Sequence, residues 1–218
     1  MSGYFEILAY LKFLLLGIRW TVGISLVAIF GGSVIGVIAA LARLSGIKLL
    51  EKVASLYVDF YRCTPLIVQL IWIYYALPML IKYSLDNVTA VSIGLSLYSG
   101  SFISEAIRAG ILSISKGQTE AAMALGMKQS QVLTRIVLPQ AVVRMLPPLG
   151  SIFITLVKDS AVASIVGVPE LMHQTHYLGS FTLRRMETLT VAAFLYFILT
   201  YPLSLGVNHI HHKFSVNR

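Results

Sequence analysis

Charge is scarce in this 218-residue chain, and negative charge scarcer still: nine Asp and Glu stand against seventeen Lys and Arg. Charged residues make up 12% of the chain, about half the share of an ordinary soluble domain. A soluble globule needs polar side chains to cover its surface. A chain with 57% apolar residues and a mean hydropathy of +0.81 falls outside that class. A single cysteine, Cys63, excludes an intrachain disulfide and removes any sign of an oxidising compartment. No segment matches G-x-x-x-x-G-K-[S/T]; Gly31, Gly32 and Gly36 lie in an apolar run with no lysine after them, so P-loop nucleotide hydrolysis is excluded. No nucleophile–base pair or metal cluster stands at membrane depth, which argues against an enzyme. No Pro- or Ser-rich linker, low-complexity tract or internal repeat divides the chain, and it reads as one domain over residues 1–218.

What the chain has instead is long uncharged runs. Trp20 to Ala42, Cys63 to Ile81 and Thr188 to Asn208 carry no charge and are long enough to cross a ~30 Å hydrocarbon core as helices. Two further runs are interrupted: one from Val88 continues past Glu105 and Arg108, and another from Ile136 contains Arg144 and Pro147-Pro148 before Lys158-Asp159. The pattern predicts an all-α membrane protein with about five transmembrane helices, over 14–42, 63–82, 88–112, 138–158 and 188–208. The first apolar stretch exceeds a signal-peptide core, so it is expected to stay as a span.

Five spans place the termini on opposite sides. With the N-terminus outside, eleven of the seventeen Lys and Arg fall on inner segments, among them Arg43, Lys48, Lys52, Lys116, Lys128, Arg135, Lys213 and Arg218. The positive-inside bias thus predicts N-out and C-in, and explains the basic excess without nucleic acid. Gly32-x-x-x-Gly36 is a pattern that lets two helices approach closely. Pro147-Pro148 removes two backbone donors mid-span and predicts a kink there, with Lys158-Asp159 at the outer end of a cavity.

Between the third and fourth spans, Ser115–Pro139 predicts two short inner helices. Thr119 to Leu125 is rich in helix formers, with Ser115 or Thr119 as cap and Gly126 as a left-handed stop. Ser130 can cap a second segment, Gln131–Leu138, ahead of Pro139. Ala121, Ala122, Ala124 and Gly126 are expected to form a smooth face with Glu120 at one end. Such a face suits a groove on a soluble partner; an amphipathic helix lying on the headgroups fits the composition equally.

Intramembrane charges usually face a cavity or a partner. Asp159 is a candidate for the α-ammonium of an amino acid and Lys158 for its carboxylate, unless the two pair with neighbouring helices. Glu105 sits one turn from Arg108 and is expected chiefly to pair with it. Arg62, Tyr61, Thr64 and Gln69 are candidates to line a polar path. Glu170, His173 and His176 recur every three residues, and His209, His211 and His212 cluster near the C-terminus. Neither set matches a zinc spacing, and both are expected in solvated loop or tail positions.

The series Glu120-Ala121-Ala122, Gly126, then Ile136-x-Leu138-Pro139 resembles the EAA signature of bacterial ABC importer permeases. The segment from Asp59 through Arg62-Cys63-Thr64-Pro65 to Gln69, Ser104-Glu105 through Arg108 to Gly110-Ile111, Gly117-Gln118, Leu138-Pro139-Gln140-Ala141 and Lys158-Asp159-Ser160 are similar to the polar amino acid branch, of the histidine, glutamine and arginine type. The resemblance covers roughly residues 14–210. Cys63, Ser101-Phe102 and Ala161-Val162 depart from the usual Gly, Ala-Tyr and Ser-Leu. The resemblance implies a type I importer (MetI-like) fold with a cytoplasmic coupling helix, in which Gln118, Glu120, Ala121, Ala122, Gly126 and Pro139 meet an ATP-binding cassette subunit present in two copies. It also implies a second permease chain (the same or a paralogue), an extracytoplasmic binding protein, a polar amino acid as substrate and the bacterial inner membrane as location. No cofactor is then expected on this chain, ATP and Mg belonging to the partner. A carrier or channel driven by an ion gradient, without an ATPase partner, is the alternative.

Overall fold

The computed structural model describes the backbone of residues 2–215 and the side chains of residues 4–209. His211, His212, Lys213 and Arg218 lie outside the described side chains. A short α1 (Ser2–Ala9) leads into α2 (Leu11–Arg43), which packs more extensively on α6 (Asn87–Leu112) than on any other element. The reason is a seam of small residues. Ala28, Gly32 and Gly36 are buried along α2 at helical spacing, and Ser99, Gly100 and Ile103 answer them on α6. A Cβ on Gly36 would lie 2.7 Å from Ile103 Cγ2 and 3.0 Å from the Gly100 carbonyl. Gly32-x-x-x-Gly36 therefore brings two helices of the same chain together, with Ser99 Oγ donating to the Ala28 carbonyl at 3.1 Å.

The second span differs from the expected 63–82. It is a bent pair: α3 (Lys48–Cys63), then α4 (Leu66–Ile71) and α5 (Leu77–Ile81) with a π turn over Trp72–Ala76 between them, turning by 108° at Thr64-Pro65. Proline drives the preceding residue out of helical geometry, and Thr64 is extended. The break frees carbonyls, and Gln69 satisfies them: its Nε2 donates to Tyr61 O at 3.0 Å, Thr64 O at 3.1 Å and Thr64 Oγ1 at 2.7 Å.

After α6 come α7 (Lys116–Ala124) and α8 (Gln129–Val132), a π turn over Leu133–Val137, and α9 (Leu138–Asp159). Both π turns precede a Leu-Pro step. A proline in a helix loses one hydrogen bond and crowds the carbonyl four residues back. The widened turn removes the conflict by letting Leu77 N–H and Leu138 N–H reach Trp72 O and Leu133 O. Pro147-Pro148 does not break the span as expected: α9 is one continuous helix from Leu138 to Asp159. The irregularity lies at the turn before Pro139 instead, and the adjacent prolines, both compatible with helical φ, are carried inside a regular helix.

A 3-10 turn (Ser160–Val166) and Gly167, with φ of 79°, lead to α10 (Leu171–Phe181) and α11 (Arg185–Ser215). Four helices are long and apolar enough to span a membrane among the described residues, and the bent pair makes five.

Candidate functional site

One face of α6 and one face of α9 line two adjoining chambers that are open on one side. The first, of about 240 Å³, is bounded by Tyr98, Ser99 and Phe102 on α6 and by Ser151, Ile152, Thr155, Leu156 and Asp159 on α9. The second, of about 620 Å³, lies towards the α7 end, where Arg62, Glu105, Ala109, Ser113, Arg144 and Pro148 join Phe102, Ser151 and Ile152. The spacing accounts for the shared walls: residues 98, 102, 105 and 109, and residues 144, 148, 151, 155 and 159, each recur every three or four positions and so fall on one helix face.

Of the residues expected on a path, Arg62, Glu105 and Asp159 line these chambers; Tyr61, Thr64, Gln69 and Lys158 do not. Gln69 is taken up in the bend, and Lys158 is exposed beside Asp159. Glu105 does pair with Arg108 at 2.6 Å, but it equally holds Arg43 at 2.6 Å, with Arg62 at 3.8 Å. Arg62 in turn lies over the Phe102 ring, 5.6 Å from its centroid. Tyr98, Ser151 and Thr155 were not singled out from sequence, although hydroxyl residues at helical spacing inside apolar spans are a readable signal.

The α7–α8 element sits on the ends of the same two helices. Ala122 and Val132 pack with Ile114, Val137, Ala141 and Met145 in one cluster, supported by Ile107 and Ile111. Ala122 is only 5% exposed, which corrects the expectation that it shares an outward face with Ala121 and Ala124. Every fourth position of a helix this short turns inward, and alanine serves either side. The outward side carries Gln118, Glu120, Ala121, Met123, Ala124 and Leu125, the last 84% exposed. Gly126 has a φ of 81°, the left-handed stop that glycine provides without strain. Gln140 Nε2, one residue after Pro139, donates to Gln118 Oε1 at 2.7 Å and ties α7 to the foot of α9.

Glu170 is not in a solvated loop. It is fully buried as the N-cap of α10, accepting from Met172 N at 2.9 Å, His173 N at 2.6 Å, Tyr196 Oη at 2.9 Å and Thr21 Oγ1 at 3.5 Å. It thereby joins α2, α10 and α11. Among the described residues no group of three His, Cys, Asp or Glu is placed to hold a metal. Burial pushes the Glu170 carboxyl up to about 7 against the hydrogen bonds that favour its ionised form. A raised carboxyl binds its proton better in the folded state. Its contribution is complete below the unfolded value near 4.5 and is lost as pH rises through 7. Glu170→Gln is expected to flatten the fall in thermal stability between pH 5 and 8. Glu170→Ala, which removes the cap and leaves Tyr196 unpaired, is expected to cost roughly 2–4 kcal/mol in a denaturation assay.

The profile of the family described as "Binding-protein-dependent transport system inner membrane component" matches residues 32–216. The probable glutamine ABC transporter permease protein GlnM of Bacillus subtilis (strain 168) is 39% identical over 197 residues, 90% of this chain and 91% of that one. The arginine transport system permease protein ArtQ of the same organism is 33% identical over 207 residues, 95% of this chain and 94% of that one. A crystallised amino acid ABC transporter with histidines superposes with a TM-score of 0.92 at 32% identity, covering 96% of this chain and 98% of that one.

Proposed function

Since the chain belongs to the family of binding-protein-dependent transport system inner membrane components, we propose that it forms the path by which an ATP-driven importer moves a polar amino acid across the bacterial inner membrane. The observation that carries this is mechanical. The chambers are walled by α6 and α9, and the cytoplasmic ends of those two helices share one apolar cluster with α7 and α8. A displacement of α7 therefore moves both walls. Two copies of an ATP-binding cassette subunit, closing on ATP, would draw the α7 elements together and turn the path outward; release would return it inward. Gln118, Glu120, Ala121 and Gly126 form the docking edge, and Ala122 and Pro139 anchor that edge to the span.

The chambers are open on one side of a single chain, and a second permease chain, identical or paralogous, completes the enclosure. Polar groups at membrane depth must be shielded from lipid. Asp159 at the outer chamber receives the substrate ammonium, with Lys158 beside it at the mouth. An extracytoplasmic binding protein delivers the substrate to that mouth, with the N-terminus outside and the C-terminus in the cytoplasm. The relatives named for glutamine and for arginine are consistent with an amino acid.

Co-purification with the ATPase subunit, followed by competition among a panel of amino acids for uptake, tests this. A complex with ATPase activity stimulated by one polar amino acid is expected. A chain that purifies alone and transports alone would overturn it.

A further inference from the structure

The inner chamber holds more positive charge than its own acid balances. Glu105 is the one carboxylate among its lining residues. Its two oxygens are already held by Arg43 and Arg108, while Arg62, nearest at 3.8 Å, keeps 40% of its side chain exposed. Arg144, on the opposite wall, has no carboxylate partner among the described residues. Its Nη1 donates to the Ser113 carbonyl and to Ser113 Oγ, and its Nε is buried without a hydrogen-bond partner. Arg144 is thus a partly buried guanidinium at the chamber wall with no counter-charge among the described residues, and a guanidinium fork matches a carboxylate in shape and charge. The wall of the inner chamber thus carries two arginines, Arg62 and Arg144, that its one carboxylate does not neutralise.

Distance separates it from the outer chamber. Arg144 and Asp159 are fifteen positions apart on α9, about 22 Å along the helix. A single free amino acid is far too short to bridge them. We propose that the inner chamber is a second station, where Arg144 and Arg62 take the α-carboxylate of the amino acid after its ammonium has left Asp159; this role rests on the cavity being the translocation path. The field of the arginines makes the station favour neutral and acidic side chains over cationic ones.

The test reads the chamber without requiring transport. In the complex carrying Cys63→Ser, Ala109→Cys places a thiol on an exposed position of the chamber wall. Its rates with an anionic (sulfonatoethyl) and a cationic (trimethylammonioethyl) methanethiosulfonate are compared, each relative to a small free thiol. The anionic reagent is expected to be favoured by about tenfold, and Arg144→Gln or, separately, Arg62→Gln to lower that preference by roughly threefold or more. Acetate should slow the reaction, and acetamide should not. Equal reagent rates would overturn the proposal, as would protection by chloride equal to that by acetate, which marks an inorganic anion only. A failure here leaves the path itself untouched, whereas a chamber that responds as expected in a complex that moves no amino acid would fault only the transport role.

Discussion

Glu105→Ala is expected to destabilise the chain by roughly 1–3 kcal/mol and to lower the yield of folded protein in mild detergent. Among the described residues the carboxylate is the one counter-charge to Arg43 and Arg108, both at 2.6 Å, and it also faces Arg62. Its removal leaves three guanidiniums, two of them partly exposed, facing one another without their shared acid. They come from α2, α3 and α6, so the defect falls where three elements meet. Glu105→Gln keeps one acceptor oxygen but no charge, and should fall between Ala and wild type. Glu51→Ala, at an exposed carboxylate in the first turn of α3, should stay within about 0.5 kcal/mol. Thermal melting of the purified complex, with yield after size-exclusion chromatography, measures all three.

Leu125→Asp should leave the fold intact and weaken the hold on the ATPase subunit by about 30–100-fold, the effect of losing an anchor worth roughly 2–3 kcal/mol. Leu125 is 84% exposed at the end of α7, so nothing within the chain depends on it. A large, almost wholly exposed apolar side chain at the tip of a short helix, next to the small Ala121 and Ala124, has the form of an anchor for a pocket. Ala122→Leu provides the opposite signature. Ala122 is enclosed by Ile114, Val132 and Val137, and overpacking there should cost about 1–3 kcal/mol of stability. It should also loosen the link from α7 to α6 and α9. Titration of the ATPase subunit onto the immobilised permease separates the two effects, because only Leu125→Asp changes affinity without changing the melting temperature.

The sequence is most legible where one physical signal dominates. The uncharged run around α2 marks a span, and α6 is found despite Glu105 and Arg108. The bent span is not legible: its first half carries Lys48, Glu51, Lys52, Asp59 and Arg62, which read as an inner loop. Pro65 marks the break, but only the fold shows Gln69 gathering the freed carbonyls. Pro147-Pro148 misleads in the other direction, since a helix held by its neighbours carries two adjacent prolines without interruption. Glu170 was hidden by company: an acid near two histidines looks solvated, and its partners Thr21 and Tyr196 lie on distant spans. For α7, the EAA signature locates the element, yet the inward turn of Ala122 is set by packing against α8 and the turn over Leu133–Val137, which alanine does not announce.

Uptake into sealed vesicles containing the permease, its ATPase subunit and the binding protein tests the central claim most directly. Accumulation of the amino acid is expected only when ATP is available on the side of α7, to persist when ionophores collapse the ion gradients, and to cease with Leu125→Asp. Accumulation driven by an imposed ion gradient without ATP, and unaffected by Leu125→Asp, would contradict it.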